Sequence, residues 1–225
     1  GIDSEADRDG NTAGLGGSIE ILGGGNVDTT RGEISSSSSI GSGGDIAIAA
    51  GGDIETGAIE SNAGFGSGGT SGQTQQQQRI ETRNGNDVGD RGGNIELEAG
   101  GSINTTAGSL SSVSVGGSGG NISLTSGGEL QAGNINTLSE GIGRGGNITL
   151  ESRRAGIDTT EGELSSISSR GNGGNISLNA RLEVVTGDIN TLSEGNGGSI
   201  DIESQRGRID TTQGQLNSRS KSGRG

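Results

Sequence analysis

A hexapeptide of the form Gly-Gly-x-Ile-x-Ile/Leu begins at residues 16, 43, 92, 119, 145, 173 and 197. The successive steps are 27, 49, 27, 26, 28 and 24 residues, so one interval is about twice the others. Gly68-Gly69 divides the long interval, and Ile80-Glu-Thr-Arg-Asn-Gly85 resembles Ile157-Asp-Thr-Thr-Glu-Gly162, which suggests a worn copy whose first strand is lost to Gln75–Gln78. A period of this length is the mark of stacked supersecondary units, none of which can bury its apolar face alone.

Within each repeat the apolar residues hold fixed places. The first strand carries pairs two apart, such as Ile19 and Ile21, Ile95 and Leu97, and Ile176 and Leu178. Alternation of this kind belongs to a strand with one buried face. A second place is held by Val27, Ile54, Ile80, Ile103, Leu130, Ile157, Val184 and Ile209. A third follows a glycine at Ile34, Ile59, Leu110, Ile135, Leu164, Ile189 and Leu216, and three residues later come Val113, Leu138, Ile167 and Leu192. One turn alternates between a long form, Asn104-Thr-Thr-Ala-Gly108, and a form two residues shorter, Gln131-Ala-Gly133, through the last five repeats.

These places predict an all-β chain: a right-handed parallel β-helix, or β-solenoid, of about eight coils of 24–28 residues with three short strands each. The expected organisation is a single solenoid over 1–225. It comprises a partial first coil at 1–15, two coils at 16–67, a degenerate Gln-rich coil or loop at 68–91, and five regular coils at 92–225. Outward ladders of Asn94, Asn121, Asn147 and Asn175, and of Ser35–Ser39 and Ser111-Ser112, are expected to supplement the core. The paired glycines are expected at corners, where positive φ or close backbone approach is needed. Gly1-Ile2-Asp3-Ser4 reads as mid-coil and Ser222–Gly225 as the end of a coil. Uncapped coils are open sheet edges, so either a longer solenoid or end-to-end stacking of copies is expected.

Composition narrows the function. Glycine supplies 51 of 225 residues, and proline, cysteine, methionine, tryptophan, tyrosine and histidine are absent. The net charge of −13 argues against nucleic acid, which needs a basic surface, and against an anionic membrane. No apolar run is long enough to span a bilayer, so membrane insertion is not expected. With no histidine or cysteine, no aromatic residue but Phe65 and short loops, the chain is not expected to be an enzyme. Thr-Thr pairs such as Thr105-Thr106 skip alternate coils, unlike a flat ice-binding array. No protein cofactor is expected. The one metal candidate is calcium at Asp28, Glu55 and Glu81, which follow the second apolar place in three successive coils and would stack like charges at about 4.7–4.9 Å unless a cation sat between them.

The run Gly-Gly-Asn-Ile-x-Leu, then Gly-x-Ile-Asp-Thr-Thr, then Gly-x-Leu-Ser-Ser resembles the repeats of filamentous-haemagglutinin-like large exoproteins of the cyanobacterial kind, over residues 16–225. The resemblance implies a right-handed β-helix secreted to the cell surface by two-partner export, with a role in adhesion, aggregation or extracellular matrix. The secretion module of that family carries Asn-Pro motifs, which have no counterpart in a chain without proline. The function expected is an extracellular structural or adhesive rod or head-to-tail fibre that self-associates by coil stacking. The alternative is a segment of an adhesin that binds surface glycans or other cells.

Overall fold

The computed structural model describes residues 2–3, 15–39, 41–64 and 91–222. They form a parallel β-solenoid of three sheets running its full length. The first sheet stacks the long strands Ile19–Gly23, Ile46–Ala50, Ile95–Ala99, Ile122–Ser126, Ile148–Ser152, Ile176–Ala180 and Ile200–Ser204. The second stacks seven shorter strands, from Val27–Thr29 to Ile209–Asp210. The third stacks eight, from Ile2–Asp3 through Ile34–Ser35 to Leu216–Asn217. Every pairing is parallel and in register, each apolar residue lying against its own equivalent one turn away, as in Ile122 with Ile95 and Ile148.

Four aliphatic ladders fill the interior. Two come from the first sheet, for example Ile46, Ile95, Ile122 and Ile148 beside Ile48, Leu97, Leu124 and Leu150. The second and third sheets give one each, through Ile54, Ile103 and Leu130, and through Ile59, Leu110 and Ile135. Burying each such side chain contributes about 1.5–3 kcal/mol.

Seven layers are present among the described residues, where eight were expected. Ile46 pairs directly with Ile95, Ile54 with Ile103 and Ile59 with Leu110, so the layer that starts at Gly43 is the immediate neighbour of the layer that starts at Gly92. No coil lies between them; residues 65–90, with Ile80 and the glutamine run, lie outside the described residues. The turn lengths explain the register. With these layers adjacent, long turns (ending at Gly32, Gly108, Gly162 and Gly214) and short turns (ending at Gly57, Gly133 and Gly187) alternate through all seven layers without a break.

The serine stretches alternate: Ser37, Ser39 and Ser111 keep the outward parity expected, while Ser36, Ser38 and Ser112 face inward. Ser36, Ser112, Ser114, Ser139 and Ser166 are buried. The third strand alternates strictly: Leu110 points in, so Ser112 and Ser114 also point in, and Val113 between them has the outward parity, although it is itself buried. Leu138, Ile167 and Leu192 share that outward parity and are half-buried, and none of the four joins the core cluster. A spacing of three from an inward residue reverses the face, which is why these four residues are not the fifth core ladder that their apolar character suggested.

The inward hydroxyls serve the glycine corner. Ser61 Oγ donates to Gly44 O at 2.5 Å, Ser112 Oγ to Gly93 O at 2.7 Å and Thr137 Oγ1 to Gly146 O at 2.8 Å. The Gly93 and Gly120 amides donate back to Ser61 and Ser112 Oγ at 3.1 and 3.0 Å. The corner glycines are required by close approach: a Cβ on Gly120, Gly146, Gly174 or Gly198 would overlap the carbonyl oxygen of the equivalent glycine one layer back. At Gly24 the same atom meets nothing within 4 Å.

A second inward column is less well served. Thr56, Thr105 and Thr186 are buried with Oγ1 unpaired, whereas Ala132 fills the same place in another layer. An unpaired buried hydroxyl costs about 1–3 kcal/mol. Thr105→Val keeps the shape and removes the penalty, so it is expected to raise stability by about 1 kcal/mol in denaturant titration. Gly146→Ala is expected to lower stability by about 1–3 kcal/mol, or to dissolve the neighbouring layers, while Gly24→Ala leaves the midpoint within about 0.5 kcal/mol.

Candidate functional site

The strand pairing decides which carboxylates meet. Asp28 lies directly against Glu55, but the next residue on that ladder is Asn104, followed by Gln131, Asp158, Val185 and Asp210. Glu81 lies outside the described residues, and its expected place beside Glu55 is taken by Asn104. Asp28 and Glu55 are both exposed. Two carboxylates supply at most four oxygens, short of the six to eight that calcium prefers, and among the described residues no group of three or more metal-ligating side chains converges.

Asp28 already has partners. Its Oδ1 accepts from the Thr30 amide at 2.9 Å and from Thr30 Oγ1 at 2.7 Å. The same clasp recurs at Asn104 with Thr106, Asp158 with Thr160, and Asp210 with Thr212. This accounts for the Thr-Thr pairs of the long turns. The first threonine points in, where Thr105 and Thr159 are buried, and the second closes the turn on the preceding Asp or Asn. The hydrogen bonds from Thr30 and Thr212 hold the carboxyls of Asp28 and Asp210 below their ordinary value, with smaller help from Arg31 and Arg208. Glu60 moves the other way: burial raises it, and the neighbouring Glu33 adds repulsion.

The polar ladder along the glycine corner is as expected for asparagine and extends at both ends. Asn94 donates its backbone N–H to Asp45 Oδ1 at 2.8 Å, and Asn121, Asn147, Asn175 and Ser199 donate theirs to the preceding asparagine Oδ1 at 2.9–3.0 Å. On the other side of the corner, Ser118 Oγ accepts from the Arg144 amide at 3.1 Å and Asn172 Oδ1 from Asn196 at 2.9 Å. Each acceptor therefore caps the next layer, a role that needs one short side chain with an oxygen at a fixed register. Ion pairs are few and exposed, Arg153 with Glu98 and Glu151, and Arg208 with Glu183 and Asp210, and pairs of this kind contribute little.

No protein-family model matches the chain, and neither a curated protein nor a solved structure matches it.

The lowered carboxyls fix a pH dependence. A carboxyl lowered by folding contributes stability that is full above its unfolded value and is lost as pH falls through the native one. Acid titration of stability should therefore show a loss that begins near pH 3.8. Asp28→Asn with Asp210→Asn should flatten it, because Asn104 already makes the same clasp. The comparison is best made in a Glu60→Gln background, which removes the one carboxyl among the described residues that is raised, whose contribution changes with pH in the opposite sense.

Proposed function

We propose that this chain is an extracellular structural element, a stiff acidic rod that extends by coil-on-coil stacking into a cell-surface filament or matrix fibre, and that it carries out no catalysis. The observation that carries this reading is the unbroken layer-on-layer pairing of all three sheets, in which each layer buries the ladders of the one before it. In the last described layer Ile209 and Leu216 are 47% exposed, whereas their equivalents Leu130, Ile135, Val184 and Ile189 are fully buried. The strand Ile200–Ser204 has a partner on one side alone. At the opposite end Ile2 is 46% exposed. A layer of this design complements the ladders and strand edges that another layer presents, so the same pairing that joins layers within the chain would join copies. The resemblance of the repeats to filamentous-haemagglutinin-like exoproteins supports placing such a rod outside the cell.

Negative-stain electron microscopy of the purified chain tests the proposal. Long uniform filaments one solenoid wide are expected, and Ile209→Lys with Leu216→Lys should shorten them by placing charge in the joint. Isolated rods about 30 Å long, the span of seven layers, would overturn stacking between copies.

A further inference from the structure

We propose that the glycine corner is a binding groove for an acidic polysaccharide. A groove of about 600 Å³ runs along the solenoid from the layer of Arg91 to that of Gly198. Its floor is the paired glycines, where a Cβ would strike the backbone of the layer before or the third strand. One wall is Asn94, Asn121, Asn147 and Asn175; the other carries Arg91 and Arg144.

Charge marks this surface out. The chain has 28 acidic residues against 15 basic ones, yet none of the groove-lining residues is an aspartate or glutamate. Arg91 and Arg144 are exposed, and neither is in an ion pair with a described residue. The asparagine ladder adds donors to this surface. Each Oδ1 is occupied by the N–H of the next layer at 2.9–3.0 Å. Where the amide nitrogen reaches the preceding side chain, as Asn121 Nδ2 does to Asn94 Oδ1 at 3.2 Å, one of its two hydrogens is used. At least one hydrogen per asparagine is left to face outward. The wall is therefore a row of amide donors about 4.7–4.9 Å apart, opposite two guanidinium groups two layers apart.

An extended anionic chain rich in acceptors fits this row; a polypeptide does not. The glycine amides of the corner are spent between layers, Gly119 to Arg144 O, Gly145 to Asn172 O and Gly173 to Asn196 O, each at 3.0 Å, so no edge remains for strand addition. The groove has no apolar side pocket in which peptide side chains could anchor. A linear uronate polymer brings hydroxyls to the amides at every sugar and carboxylates to the arginines at intervals. The guanidinium fork suits a carboxylate bidentately.

The test is titration of the full chain with a fluorescently labelled short oligogalacturonate at low ionic strength, followed by anisotropy, with a neutral cello-oligosaccharide and a poly-glutamate peptide as comparators. Saturable binding that weakens as salt rises is expected for the uronate. Arg144→Gln should weaken it about three- to five-fold, the size of one exposed charge contact, and Arg91→Gln with Arg144→Gln should bring it close to the neutral sugar. Absence of uronate binding, equal binding by the double variant, or equal binding of poly-glutamate would each overturn the proposal. Both arginines are exposed and away from the end layers, so the variants should keep the wild-type melting curve and form the same filaments. Failure of the groove is thereby distinguishable from failure of the stacking that the rod reading requires.

Discussion

The spacing between one turn and the next governs everything else in this molecule. Each layer hangs from its neighbour by backbone hydrogen bonds of about 2.9 Å on all three sheets, and that single translation fixes which side chains can exist where. At the first-sheet corner it brings peptide planes so close that a Cβ would strike the carbonyl of the layer before. Glycine there is selected by packing between turns, not by a left-handed backbone. The same closeness lets a serine or threonine hydroxyl from the third strand reach a glycine carbonyl across the corner. The interior hydroxyls are thus tied to the glycines, and neither feature is useful without the other.

Translation also explains the narrow alphabet of the core. Every inward side chain sits above a copy of itself, so bulk added at one place is added in every layer. Isoleucine, leucine and valine stack in this way and fill the section from three directions. A large ring repeated at the layer spacing would demand a wider prism than these short strands can close. The lack of aromatic area is offset by area shared between turns: each buried aliphatic residue packs on two copies as well as across the axis. The unpaired Thr105 and Thr186 hydroxyls show that this economy is imperfect, since one column retains threonine where Ala132 proves an apolar residue is accepted.

What could be read from the chain follows the same logic. The first strand was legible because its apolar pairs obey period two and recur seven times, and the asparagine ladder because the residue after each glycine pair must present an oxygen to the next turn. The third strand was misread at Leu138, Ile167 and Leu192, which are half-buried, whereas Val113 at the same parity is buried. Composition pointed inward, but parity from Leu110 and its equivalents put the intervening serines and threonines inside. The segment 68–91 was expected as a degenerate coil or a loop, and the likeness of Ile80 through Gly85 to a coil could not decide between them; Ile46 pairs directly with Ile95, so the segment adds no layer between these strands. Long and short turns must alternate so that each short turn nests against the long turn below, and a long turn inserted after Gly57 breaks that order. Asp28 and Glu55 meet, but the third position on their ladder is decided by which layer comes next, a property of pairing that no local motif records.

The acidic surface and the donor-lined corner are two consequences of one periodic design. Along most outward positions the sequence varies from turn to turn, so charge is scattered and the net excess of carboxylate serves to keep rods apart. Along the glycine corner variation is suppressed. The backbone needs glycine on the floor, and each layer needs a small oxygen-bearing side chain to cap the next. Where that cap is an asparagine, at Asn94, Asn121, Asn147 and Asn175, an amide hydrogen is left to face outward, and a short row of donors arises without any selection for a ligand. A polymer whose own repeat runs along the same axis meets many weak contacts at once, so its affinity grows with the number of layers it spans rather than with the strength of any one. If layers are added as proposed, the number of such contacts rises with them, so stacking and polymer binding would strengthen together.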